Sequence, residues 1–179
     1  NPVWQFRDFP MPILEKHGVD LVMAGHNHFY TRTTLINNHF GLSPTYNPSL
    51  HNLDSGDGRV DGNGAYQKTP GGAGTIYITH GAGSGGGESS ARKVTAAQIS
   101  DGSRHPSDYM YGGRGSMVLD IDGDNMKVNV ISPKGTVIDY FTITHDDTPT
   151  PPPTPPALQN GVSETITGAK GEEIRYTMA

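Results

Sequence analysis

The sequence turns on one stretch, Val19-Asp-Leu-Val-Met-Ala-Gly-His-Asn-His-Phe-Tyr-Thr-Arg-Thr33, where an apolar run stops at a glycine and two histidines. Val19 to Ala24 is short, carries two β-branched residues and lies between Gly18 and Gly25, so it is expected to form a buried strand with polar chemistry at its end. His26 and His28 are one residue apart, and on extended backbone such side chains leave the same side. Two neutral imidazoles so placed can each hold a metal ion or share a pair of ions about 3.5–4 Å apart. A pair of surface histidines in a turn satisfies the same short pattern, and Gly25 permits a sharp turn in either case.

The flanks extend this into a helix-strand unit. Residues 7–17 place Phe9, Ile13, Leu14 and His17 on one apolar helical face, with Asp8 available as N-cap, Pro10 and Pro12 tolerable only near the start, and Gly18 suited to the C′ position. Helix followed by strand favours parallel pairing, and ligands of parallel sheets collect beyond the strands' carboxyl ends. Residues 29–36 continue as an alternating strand with Tyr30, Arg32 and Thr34 on one face, the side on which the histidines are expected. There Arg32 is placed either to meet a phosphate oxygen or to pair with a carboxylate and brace the loop. Tyr30 is read as a bracing or packing residue.

Periodicity then fades. Residues 37–74 are rich in Asn, Asp, Gly, Pro and Ser, the composition of a long surface excursion that carries His39 and His51 as exposed loop histidines. Within it, Asp54-Ser-Gly-Asp57-Gly-Arg-Val-Asp61-Gly-Asn63 could wrap a calcium ion, but it lacks the spacing and final glutamate of the twelve-residue calcium loop, and a solvated turn cluster explains it as well. Residues 75–79 read as a strand ending at His80, a residue suited to hydrogen-bond a substrate or ligand or to serve the structure. Gly81-Ala-Gly-Ser-Gly-Gly-Gly87 comes next. Its glycine spacing formally matches a dinucleotide fingerprint, but no helix opens from it and no strand with an acidic end succeeds it. It reads instead as a rim that a substrate or another backbone can approach closely. Residues 88–114 are weakly patterned, with one short helix expected around Ala91 to Ile99. Residues 115–122, 126–132 and 136–144 then alternate as an antiparallel meander joined by two tight turns.

Residues 146–157 form a Thr/Pro-rich linker, a density of proline that favours a stiff extended spacer. Spacers of this kind between modules point to a secreted bacterial protein, extracellular or periplasmic. Composition narrows the rest. A net charge of −5 without a cationic stripe disfavours a nucleic-acid partner, and the absence of cysteine leaves His, Asp, Asn and Tyr as the available metal ligands. No apolar run approaches the roughly 20 residues needed to span a bilayer. Oligomeric state is not legible.

The string Gly25-His26-Asn27-His28 with Tyr30 and Arg32, preceded by a helix and a strand, resembles the last metal-binding motif of the calcineurin-like metallophosphoesterases, in its purple acid phosphatase branch. Gly74-Thr-Ile-Tyr-Ile-Thr-His-Gly-Ala-Gly83 resembles that family's strand and glycine turn after the motif, and residues 115–144 resemble its closing hairpin strands. The resemblance implies an α/β fold, with residues 1–145 as the C-terminal half of a layered α/β/β/α sandwich. Residues 158–179 resemble the opening of a bacterial pre-peptidase C-terminal domain, an incomplete β-sandwich segment.

The resemblance further implies a phosphomonoesterase with two metal ions, Fe, Zn or Mn, which orient a phosphate ester and convert water to hydroxide. His26 and His28 carry over as ligands, one to each ion. The family's remaining ligand motifs and its acid catalyst are absent from this sequence. The expectation is therefore a fragment whose catalytic residues lie upstream of Asn1 and which has no phosphatase activity alone. Two other readings stay open: a carbohydrate- or calcium-binding β module using the Asp54 to Asn63 loop, and a metallophosphoesterase fold used only as a scaffold.

Overall fold

The computed structural model describes residues 7–68, 71–81, 83, 92–93, 109–145, 165–167 and 173–175. Among them the fold is mixed α/β, mostly strands with few helices. The chain divides into two compact units, 1–148 and 149–179. In the second, β12 (Thr165–Thr167) and β13 (Glu173–Arg175) pair antiparallel, the two short strands expected there. The linker reading of 146–157 lies outside the described residues.

In the first unit, helix α1 (Pro10–Lys16) opens with proline at its first position, where no amide hydrogen is needed, and closes at His17. Gly18 comes next at φ 68°, the left-handed conformation expected after the last turn. Two details of the helix differ from the pattern. Phe9, not Asp8, is the N-cap, and it makes no side-chain capping bond. Phe9 and Ile13 face solvent at 68% and 57% exposure, whereas Glu15 is buried. The reason is tertiary: Glu15 accepts from the Tyr77 hydroxyl at 2.5 Å and the Asn38 amide at 2.7 Å, so its carboxylate is satisfied facing inward.

Strand β1 (Leu21–Ala24) pairs parallel with β6 (Ile76–His80), as helix-strand order suggests. It is shorter than the expected Val19 to Ala24 and is not buried throughout. β1 is the edge of a five-stranded sheet that continues through β6 to β2 (Tyr30–Arg32), β8 (Tyr109–Tyr111) and β7 (Arg92–Lys93), and Met23 is 52% exposed. β2 (Tyr30–Arg32) lies antiparallel to both β6 and β8 (Tyr109–Tyr111), so the sheet is mixed. β7 (Arg92–Lys93) pairs with β8, a strand pair where a helix over Ala91 to Ile99 was expected; residues 91 and 94–99 lie outside the described set.

The single strand expected over 29–36 is two strands. After β2 the Thr33 amide still reaches Tyr77 O at 3.0 Å, but the chain then turns away. Leu35 and Ile36, both buried, form β3 against β4 (Asn52–Asp54) in a separate ribbon. The excursion between them is built, not loose: a 3-10 turn (Ser43–Thr45) and the one-turn helix α2 (Pro48–His51), capped by the Asn47 side chain on the Ser49 amide at 3.0 Å.

The meander forms as its alternation implies. β9 (Ser116–Asp122), β10 (Asn125–Ile131) and β11 (Val137–His145) pair antiparallel, and β5 (Tyr66–Lys68) adds parallel to β11. One core serves both sheets: Tyr30, Ile76 and Ile78 from the first pack in one cluster with Tyr66, Val128, Val130, Phe141 and Ile143 from the second. Asp20, just before β1, meets Lys68 at 2.7 Å and His145 at 3.0 Å, which ties the entry of the histidine-bearing strand to the end of the second sheet.

Candidate metal-ligand loop

β1 ends at Ala24, and residues 25–29 leave the sheet as a tight loop. Asn27 N donates to Gly25 O at 3.0 Å and Phe29 N to Asn27 O at 2.9 Å, bonds that each span two residues. His26 sits at φ 73°, in the left-handed region. For a residue with a Cβ that conformation costs about 1–2 kcal/mol. The backbone is therefore not extended, and the argument that spacing alone sends both imidazoles to one side does not hold. A turn presents them instead. His26 and His28 are both exposed, and neither ring has a hydrogen-bond or ion-pair partner among the described residues.

The loop is pressed from one side by the end of β6. Gly81 N donates to Asn27 O at 3.0 Å, and a Cβ at Gly81 would lie 2.5 Å from that oxygen and 2.8 Å from His26 N. Both are backbone atoms, so neither can rotate away. The glycine after β6 thus admits another backbone, that of the histidine loop. Residue 82 and the glycines at 85–87 lie outside the described residues.

His80 stands beside this contact. Its Nε2 is 3.1 Å from Gly115 O, and a carbonyl only accepts, so Nε2 carries the proton and Nδ1 a lone pair. Nδ1 is buried with no partner among the described residues. Burial lowers the His80 pKa below its ordinary value, against the opposing pull of Gly115 O, so the ring is held neutral. Its edge meets the Tyr30 ring at 5.7 Å between centroids and 86° between planes.

Tyr30 and Arg32 share a face, as alternation requires, but that face is the interior. Both converge on Asp139 of β11, a carboxylate 1% exposed. Tyr30 donates to Oδ2 at 2.8 Å; Arg32 Nε reaches the same oxygen at 2.5 Å and its Nη2 reaches Oδ1 at 3.3 Å. Arg59 adds a bond to Oδ1 at 3.0 Å. Arg32 further donates to the Tyr66 hydroxyl at 3.1 Å and to Asp57 O at 2.8 Å, and its guanidinium lies 4.9 Å from the Phe141 ring centroid.

Burial works against the Arg32 charge, yet the Asp139 carboxylate outweighs it and raises the guanidinium pKa. Burial first, then Asp139, raises the Tyr30 pKa well above the phenol range, so the hydroxyl remains a donor. Of the two roles open to Arg32, carboxylate pairing is the one present. Its donors are committed there, not to an exposed anion.

The Asp54 to Asn63 loop covers this cluster and spends its own oxygens on turns. Asp54 Oδ1 accepts from the Gly56 amide at 2.7 Å; Asp57 Oδ1 accepts from the amides of Arg59 and Asn63 at 3.0 and 3.1 Å; Asp61 accepts from the Tyr140 hydroxyl. Burial opposes ionisation of Asp57, but those amides and the Arg59 charge prevail and lower its pKa. No three His, Asp or Glu side chains among the described residues gather as a metal-binding group. The loop is thus a set of side-chain-stabilised turns, and calcium has no gathered ligands there.

Two residues expected to be exposed come together instead. His39 is 7% exposed and lies 4.8 Å from the His51 ring, with Tyr46 at 5.2 Å from His39 and 5.4 Å from His51. His51 Nδ1 already accepts the Asn47 amide at 2.9 Å, so this ring is committed to capping its own turn. Burial, then His51 and Arg7, lowers the His39 pKa.

Sequence reading missed Asp139. The signal was available: Asp139 lies in period-two register with Phe141 and Ile143, so an inward strand face contains a carboxylate, which calls for a buried cation. Among the described residues no helix is long and apolar enough to cross a membrane. No family model matches the chain, and neither a curated protein nor a solved structure matches it.

Proposed function

We propose that the chain supplies two imidazole ligands, His26 and His28, to the two-metal centre of a phosphoester hydrolase of the purple acid phosphatase type, a secreted enzyme acting on phosphomonoesters, with the first unit as part of a layered sandwich. One observation carries this reading. At the carboxyl end of a parallel-paired strand, two exposed histidines without protein partners among the described residues stand on a loop whose backbone is strained and pressed by Gly81. Strain persists where surrounding structure enforces it, and functional sites are where such outliers gather.

The donor set fits in kind. Neutral imidazole suits Zn, Fe and Mn, and neither ring is already engaged by a described residue. Metal ions of this class contribute Lewis acidity and lower the pKa of water to near neutrality, about 7 for zinc. The chain's part is to present the nitrogens and hold their loop. Two ligands fall short of such a centre, so no hydrolysis is expected from this polypeptide alone.

Equilibrium dialysis against Zn2+ or Mn2+, with metal quantified by mass spectrometry, tests the assignment. Weak transition-metal binding is expected, lost in His26→Ala with His28→Ala and retained in Asp57→Asn with Asp61→Asn. Binding that survives the histidine replacements would sink it, as would turnover of a chromogenic phosphate ester by the double histidine variant.

A further inference from the structure

We infer that Asp139 is a positioning residue for the histidine loop, acting through Tyr30 and Arg32; the inference rests on the reading of His26 and His28 as metal ligands. Two different restraints act on the loop. At its middle, Gly81 abuts the backbone of His26 and Asn27. At its exit, Tyr30 lies two residues beyond His28, and consecutive Cα atoms are about 3.8 Å apart, so whatever fixes Tyr30 confines the His28 Cα to within about 7 Å of it.

Three things fix Tyr30. Its backbone pairs with His80 on one side and Tyr111 on the other. Its ring packs edge-on against His80. Its hydroxyl donates to Asp139 Oδ2, the oxygen that Arg32 Nε also takes. Backbone pairing alone leaves a three-residue strand free to slip or fray, because β2 is only Tyr30–Arg32. Two side chains of that strand bound to one carboxylate remove that freedom: a one-residue slip would carry both to the opposite face, where Asp139 cannot be reached.

The carboxylate belongs to the other sheet. Asp139 stands on β11, between the buried Arg32 and the partly exposed Arg59. It therefore transmits the position of the second sheet to the stem of the histidine loop. Tyr30 and Arg32 act here as intermediaries and need no contact with substrate.

Backbone 15N relaxation of the full chain without metal reads the loop directly. In Asp139→Asn, the order parameters of Asn27 to Phe29 are expected to fall from rigid-backbone values near 0.85 to below about 0.6. Tyr30→Phe, which removes one donor and keeps the ring on His80, should give a smaller fall of the same kind and guards against failure of Asp139→Asn to fold. Ile143→Val, a core change on the same strand, provides the comparison and should leave the loop unaltered. Equal loosening in Ile143→Val and Asp139→Asn, or an unchanged loop in both Asp139→Asn and Tyr30→Phe, overturns the inference.

A Zn2+ titration followed on the His26 and His28 imidazole resonances separates this from the metal reading. Wild-type binding that weakens at least fivefold in Tyr30→Phe or Asp139→Asn supports both. Absence of wild-type binding refutes the ligand reading, while loosened order parameters still uphold the positioning role.

Discussion

Three residues separate His28 from Arg32, yet the two ends of that segment meet opposite fates. The histidine loop puts titratable rings on the surface, gives them no partner among the described residues and holds one of them in a left-handed conformation. The Asp139 cluster buries a carboxylate, a guanidinium and a phenol and satisfies them mutually. Polar groups in a core persist when their bonds are complete, whereas unsatisfied groups on an ordered loop persist without contributing stability. The difference separates what holds the fold from what the fold holds out.

The sharpest test of that division is Asp139→Ala. Removing one partner from a buried ion pair leaves Arg32 charged, desolvated and unpaired, at an expected loss of about 3–5 kcal/mol. Urea unfolding of this variant against His28→Ala, expected within about 0.5 kcal/mol of the parent, measures the contrast. Comparable losses in both would break it.

Gly81→Ala lies between the two regions and should cost about 1–3 kcal/mol, the range for overpacking against atoms that cannot yield. Its amide spectrum should shift at residues 25–29 while the Asp139 cluster keeps its resonances. Shifts confined elsewhere would mean that the contact of Gly81 with His26 and Asn27 does not set the loop.

Legibility in the sequence divides along the same line. Alternation over 116–145 produced the meander with nearly its observed bounds, because a period of two is enforced wherever one face is buried. The parallel pairing of β1 came from helix-strand order. The helical face failed for a tertiary reason: nothing in residues 7–17 announces that Tyr77 and Asn38, far along the chain, supply donors to Glu15 and draw it inward. Residues 29–36 failed similarly, since one unbroken alternation does not say where a chain changes sheets. At the site, His26 and His28 were visible as residue types and a turn at Gly25 was one of the two readings they allowed, but the contact of Gly81 with the backbone of that turn was not visible. His39 was read as exposed from loop composition, which cannot register ring contacts with His51 and Tyr46.

His39 supplies a pH test. Its folded pKa is lowered, by burial foremost, so protonation favours the unfolded chain. The stability it contributes is present above the unfolded value of about 6.5 and is lost as pH falls through that value toward the folded one. Between about pH 7.5 and pH 5 the unfolding free energy should drop, a fall partly flattened in His39→Gln and read from urea midpoints. His51 and Arg7 face this ring and reinforce the direction, whereas the Leu42 backbone opposes it. Arg32 and Tyr30 should not respond across this window, because the arginine pKa is raised further and the tyrosine pKa lies above the phenol range.

The smallest expected effect isolates what the histidine loop stores. At φ 73°, His26 bears the left-handed penalty of about 1–2 kcal/mol that a glycine does not. Glycine in turn loses more chain entropy on folding, roughly 0.5–1 kcal/mol, so His26→Gly should stabilise the chain by about 0–1.5 kcal/mol net. The same change removes one of the two proposed ligands. A variant more stable by urea unfolding and poorer in zinc by dialysis would show strain retained for binding, since a conformation kept for stability alone would not improve on losing its side chain. Lower stability in His26→Gly would instead mean that the ring does structural work, and the line drawn between the two regions would have to move to include it.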